Sequence, residues 1–264
     1  MLQIRAVVNL ILVAAVIFIS YYSSIVGINE QTQDSVSAAF SSAFTPAAYA
    51  FSIWGAIFIM LIIVAVKDLR GVFLNGTQTT LSFNAGLSLA LVLTFIWVFV
   101  WSYLQIGWSL VVMTAIFVSL IWAVLSGKER PVSANITLAL YLGWISVALV
   151  ANEAAWLVSL DLVGENKEEG FLHDPSFSVM QSALTLVVFA LVMSFKSIRH
   201  GLEPAVFVYP LVGVWAYIAI LIKNGAGNPN LLVYVSAFFA LILLLIAGYF
   251  GSKWNSSYSA TTKD

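Results

Sequence analysis

Residues 44–58 read FTPAAYAFSIWGAIF, a proline followed by aromatic rings where a long apolar run begins. Phe51, Trp54 and Phe58 fall at i, i+3 and i+7, the repeat that lines one face of an α-helix. Tyrosine and tryptophan, here Tyr49 and Trp54, gather where a helix enters a bilayer, because each presents an apolar body and a polar edge. The stretch therefore reads as the mouth of a membrane helix, and the rest of the chain agrees.

Hydrophobic residues make up 61% of the sequence and charged residues 9%, with a mean hydropathy of +1.00. Soluble domains carry about a quarter charged residues. Eight apolar runs, at 6–26, 47–66, 83–104, 108–125, 135–158, 177–195, 205–222 and 231–249, are separated by short polar segments. Hydrocarbon leaves backbone polar groups no partner but each other, so each run is expected to be a helix. The fold class is all-α, a polytopic membrane bundle of about eight transmembrane helices. The third and fourth runs are separated only by QIG and predict a tight antiparallel hairpin. The first run is too long for a signal peptide's apolar region and lacks a small-x-small cleavage site, so it reads as a retained helix.

An even number of spans puts both termini on one side. Arg5, Lys67, Arg70, Lys128, Arg130, Lys196, Arg199, Lys253 and Lys263 share that side, against Lys167 and Lys223 opposite. The positive-inside bias makes the shared side cytoplasmic, and a bacterial plasma membrane is the expected location. Four sections follow: a five-helix core at 1–160, an outer loop at 161–176, three additional helices at 177–250, and a cytoplasmic tail at 251–264, expected to be disordered.

Several chemistries are excluded. A net charge of -1 without a basic cluster gives nucleic acid no footprint. With no cysteine there is no disulfide and no thiolate ligand or nucleophile. Lys67, Lys196 and Lys223 sit at expected helix ends where they can snorkel, so no mid-membrane lysine can hold retinal. His173 and His200 lie in loops on opposite sides, which rules out bis-histidine haem and a zinc site, and no metal site is expected. No base lies near a nucleophile at membrane depth, so no catalytic constellation emerges. Glu153 is the one ionisable group inside a span. It is either an interfacial carboxylate satisfied by water, Asn152 or another neighbour, or a ligand-, proton- or ion-coupling group.

The second, third and fifth runs carry matching faces: Phe51, Trp54 and Phe58; Thr94, Trp97 and Trp101; and Tyr141, Trp144, Ala148, Asn152 and Trp156. The second runs inward and the other two outward, so Phe51, Trp54, Trp97, Trp101, Asn152 and Trp156 share the outer half of the bilayer. Converging, these faces enclose an aromatic cavity with a few polar anchors beneath the loop at 29–44, the composition of a site for a flat apolar ligand. Helix packing is the rival reading for Trp54, Trp97 and Trp144, and an interfacial belt accounts for Tyr103, Trp108 and Trp254. Pro46 is expected to start a helix at its first position and Pro210 to kink the seventh, where Tyr209, Trp215 and Tyr217 pack or join the belt.

These residues resemble the TspO/MBR family, the translocator proteins also called tryptophan-rich sensory proteins. Pro46, Trp54, Gly55 and Phe58 fit the second-helix signature, Trp97 the third-helix tryptophan, and Tyr141, Trp144, Asn152 and Trp156 the fifth-helix segment. Thr45 stands where the family has a first proline, and Thr94 where it has an asparagine. The resemblance covers residues 6–158 and leaves the last three helices without a counterpart. It implies a five-helix core with a pocket near the outer surface, capped by the first loop, and a surface for homodimerisation. The implied ligands are a porphyrin, a haem-type tetrapyrrole or a sterol-like molecule, with no cofactor required. A secondary transporter of a small amphipathic solute, with Glu153 coupling protons, is the competing function, and porphyrin breakdown on the tryptophan surface is the enzymatic one.

Overall fold

The computed structural model describes residues 1–75, 82–127, 130–160, 175–225 and 231–261. Each of the eight apolar runs becomes a long helix: α1 (Leu2–Ile25), α3 (Ile53–Asn75), α4 (Ala85–Ser102), α5 (Ile106–Ser126), α6 (Val132–Ser159), α7 (Pro175–Ser194), α9 (Val208–Gly225) and α10 (Leu231–Thr261). Two short helices add to these, α2 (Gln33–Ala39) and α8 (Lys196–Leu202), with a 3-10 turn at Ala48–Ser52 before α3. By length and apolarity, five of the described helices can cross a membrane, and a sixth if α7 and α8, bent by 82°, form one span. The apolar parts of α9 and α10, Val208–Lys223 and Ala237–Ser252, are shorter.

The first five long helices close into a ring in the order α1, α3, α6, α5, α4, each packed on the next and α4 returning to α1. Outside it, α7 and α9 pack on α6, and α10 packs on both α7 and α9. α6 is thus a wall shared by both groups, with 72% of its apolar window buried against 28% for α1. Packing in lipid depends on close approach and interhelical hydrogen bonds, since lipid tails are as apolar as leucine. Ser88 Oγ accordingly donates to Asn9 Oδ1 at 2.9 Å between α4 and α1. Tyr209 and Ser146 share a hydroxyl bond of 2.9 Å between α9 and α6. Because Ser146 donates its own proton to Leu142 O, Tyr209 is the donor.

Several local expectations are corrected. α3 runs past its expected end at residue 66, so Lys67 lies inside it, exposed, with Nζ donating to Ser133 Oγ at 3.4 Å. At the next position the carboxylate of Asp68, buried and overlooked by the apolar-run reading, accepts the Phe83 N–H at 3.1 Å. Pro46 precedes Ala47, the cap of the 3-10 turn, and does not occupy a first helical position. Pro210 stands in the first turn of α9, where an N–H has no helical partner to lose, and so starts the helix instead of kinking it. The expected disordered tail is helical through Thr261 as a continuation of α10. Lys128, Lys167, His173, Lys263 and residues 161–174 of the outer loop lie outside the described residues.

Candidate functional site

The three matching faces converge on a small void inside the ring, at the end covered by α2 and the chain that follows it. Its wall takes Phe51 from the 3-10 turn, Trp54 from α3, Trp97 and Trp101 from α4, and Trp144 and Asn152 from α6. Phe40, Thr45 and Pro46 close it from the covering segment, and Met113 from α5. The rings hold one another edge-on and stacked: Trp54 meets Trp144 at 6.5 Å and 81°, Phe51 meets Trp144 at 6.1 Å and 75°, and Trp97 stacks on Trp101 at 5.5 Å. Such pairs favour offset or edge-to-face contact, which leaves angular gaps no aliphatic chain fills. The cavity is about 50 Å³.

Its polar anchor is Asn152, buried in an otherwise apolar wall. Asn152 Oδ1 lies 2.7 Å from Ser109 Oγ, whose single proton is shared between it and Ile106 O at 2.8 Å, and accepts at a longer 3.5 Å from Trp97 Nε1. Asn152 Nδ2 donates to Ala148 O at 3.3 Å, so one amide N–H stays without an acceptor among the described residues. Ser109 was missed because the fourth apolar run, in which it is one of two serines, shows no aromatic stripe.

Thr94, Tyr141 and Phe58 lie one turn deeper and form a floor instead of lining the void. Phe58 stacks on Trp54 at 5.4 Å, and Tyr141 meets Trp54 edge-on at 5.7 Å. Thr94 donates to Ala90 O at 2.8 Å, so in the Thr94–Tyr141 hydroxyl pair the tyrosine donates. Both are buried, and Thr94 has no proton left for a ligand. Thr94→Val is expected to cost about 1–3 kcal/mol by stranding a buried hydroxyl, and Tyr141→Phe about 1 kcal/mol. The double variant should lose less than Thr94→Val alone, a coupling readable as thermal midpoints of the four proteins in detergent.

Trp156 does not join the cavity. It lines an open groove of about 540 Å³ with Leu104, Ile106 and Trp108. At 3.6 residues per turn, Trp156 is rotated about 120° from Trp144, so a stripe that looks continuous in sequence walks around the helix. Phe40 stands in the wall of both groove and cavity.

The covering segment is tied down on two sides. Thr32 and Ser35 form a reciprocal cap at the start of α2, Trp101 Nε1 donates to Gln33 O at 3.3 Å, and Phe44 is buried. On the other side α9 reaches the lip of the site. Ala47 N–H donates to Ala219 O at 3.2 Å, Trp215 Nε1 donates to Ala50 O at 3.2 Å, and Tyr49 meets the Trp215 ring edge-on at 5.3 Å. Glu153 faces away, toward the additional helices, where Oε2 accepts from Gln181 Nε2 at 2.8 Å. Among the described residues no group of three acidic or histidine side chains could hold a metal ion.

A closed helical ring around an indole-lined void, under a tethered cover, defines a polytopic membrane protein with a built-in apolar site. A family model described as TSPO-like protein matches residues 6–249, and the chain belongs to that family. It is an integral, multi-pass membrane protein of the sensory and translocator class. The match extends into α10, so the three additional helices, which the sequence resemblance left without a counterpart, fall within the family's pattern. No curated protein and no solved structure matches the chain.

Proposed function

We propose that the protein binds a flat, largely hydrophobic ligand, a porphyrin, haem-type tetrapyrrole or sterol-like molecule, between α3, α4 and α6. The observation that carries this reading is Asn152: a buried amide with an uncommitted N–H in a wall of indole rings supplies one polar contact inside an apolar slot. Cavities that enclose ligands of this size run to about 300–1,000 Å³. A void of about 50 Å³ holds only the leading edge of such a molecule. Binding on this reading requires the cover at Phe40 to Pro46 to lift and Trp54 to turn from Trp144. The groove behind Phe40 is the route of approach.

Titration of the purified protein with protoporphyrin should give saturable tryptophan quenching. Trp54→Leu and Asn152→Leu should each weaken it about tenfold, the scale of a lost stack or a buried hydrogen bond. Unchanged affinity in both variants would sink the site. The transporter reading draws on Glu153, whose bond to Gln181 puts a carboxylate at the joint between ring and additional helices. Saturable binding without porphyrin flux across proteoliposomes would separate a receptor from a carrier.

A further inference from the structure

At the end of the bundle opposite the aromatic site, a cleft of about 660 Å³ opens between the helical ring and α8. Its walls come from the end of α5 with Gly127, from Arg130, from Asn135 on α6, and from Ser197, His200 and Glu203 on or beside α8. Three features of its chemistry remain unaccounted for by packing.

Arg130 is half-buried, and desolvation pulls its pKa below the usual arginine value. Among the described residues no carboxylate lies within ion-pair distance of it, because the one ion pair there joins His200 Nδ1 to Glu203 Oε2 at 3.0 Å. Arg130 caps the end of α5 and straps it to α8: Nη1 donates to Ala123 O at 2.6 Å, and Nη2 donates to Val124 O at 2.8 Å and to Gly201 O at 3.0 Å. A guanidinium has five N–H donors, so two have no acceptor among the described residues. The helix carbonyls supply only partial negative charge, whereas a buried cation is stabilised fully by an anion.

Asn135 supplies the second feature. Its Nδ2 donates to Glu203 O, while its buried Oδ1 has no hydrogen-bond partner. Such an orphaned acceptor carries a cost that a ligand O–H or N–H would remove. The third feature is place. α8 turns 82° from α7 at this end of the bundle, where Lys67, Arg70, Lys196 and Arg199 also gather. Basic clefts between membrane helices on such a face suit phosphate headgroups.

We propose that this cleft binds a phosphate-bearing ligand that also carries a hydrogen-bond donor, the chemistry of a phosphatidylglycerol headgroup or of a soluble phosphate ester. The phosphate takes a spare N–H of Arg130 and the Ser197 and His200 side chains at the rim. The ligand's hydroxyl donates to Asn135 Oδ1. Glu203, engaged by His200, disfavours a ligand bearing more than one phosphate.

The test compares phosphatidylglycerol, phosphatidylcholine and inorganic phosphate on the full-length protein in detergent, reading lipid retention by native mass spectrometry and thermal midpoint. Phosphatidylglycerol should be retained at about a tenfold lower concentration than phosphatidylcholine, the scale of a charge-assisted hydrogen bond. Arg130→Gln should erase that preference, and the rim variant Ser197→Ala/His200→Ala should reduce it several-fold. Both rim side chains are exposed, so this variant decides the matter should Arg130→Gln fail to fold. Stabilisation by phosphatidylglycerol but not inorganic phosphate identifies a lipid headgroup, and equal stabilisation by inorganic phosphate with the same residue dependence identifies a soluble phosphate. No selectivity in the wild type, or selectivity untouched in the folded variants, overturns the proposal.

Discussion

Gly86→Val is expected to prevent the five-helix ring from closing. A Cβ at position 86 would lie 2.6 Å from Ala123 N, 2.8 Å from Ala123 Cα and 2.8 Å from Ser119 O, all of them backbone. Backbone cannot swing aside as a long side chain can, so α4 and α5 must separate along a face that buries Leu87, Ala90, Leu91, Ile116 and Leu120. Forcing extra atoms into a packed contact costs about 1–3 kcal/mol, and more where neighbours cannot relax. The same separation also disturbs Asn84, whose side chain caps α4 and donates to Ala123 O at 2.7 Å. The variant should elute as aggregate in fluorescence-detected size exclusion, while Gly55→Ala, with no atom within 4 Å of the added carbon, should elute as wild type. Normal elution and an unshifted thermal midpoint for Gly86→Val would show that this contact does not hold α4 on α5.

The long helices were legible because hydrocarbon admits so few solutions: an apolar run of sufficient length must satisfy its own backbone, and helices result. The short elements were not. α2 contains QDSVSAA and α8 contains KSIRHGL, both too polar to stand out from loops by hydropathy. α2 is fixed by the local Thr32–Ser35 cap and by Trp101, and α8 by the Arg130 strap to Gly201, the last two being contacts made across long sequence separations. Asp68 went unread for a related reason. Its partner is a main-chain N–H fifteen positions away, and nothing in the local pattern announces that.

The site was legible by face but less well by depth. Phe51, Trp54, Trp97, Trp101, Trp144 and Asn152 do meet, because an i, i+3, i+7 repeat on each of three helices selects one side. The same repeat carried Thr94, Tyr141 and Phe58 into the proposal although each stands a turn below the void. It carried Trp156 too, since the 12 residues of α6 from Trp144 turn the face by about 120°, into another groove. Spacing reports direction around a helix; which turn touches the cavity depends on where the neighbouring helices put their own bulk.

The additional helices bear on that cavity, and Gly143 is where this can be measured. A Cβ there would sit 2.9 Å from Val212 Cβ and 3.0 Å from Tyr209 O, between the shared wall α6 and α9. Gly143→Val should push α9 outward, break the Tyr209–Ser146 bond and strand the Tyr209 hydroxyl, with a loss of about 1–3 kcal/mol from overpacking alone. Since α9 also holds the lip of the site through Ala219 O and Trp215, the displacement is transmitted to Ala47, Tyr49 and Ala50. The ring itself does not use this contact: α6 is held in it by α3 and α5. The expected outcome is therefore selective. Limited proteolysis should cut the chain between α6 and α10 far faster than in the wild type, while residues 1–160 persist as a protected fragment. Protoporphyrin quenching should weaken even though no residue lining the cavity has changed. Loss of the additional helices' protection with quenching fully retained would show that α9 packs beside the lip without holding it.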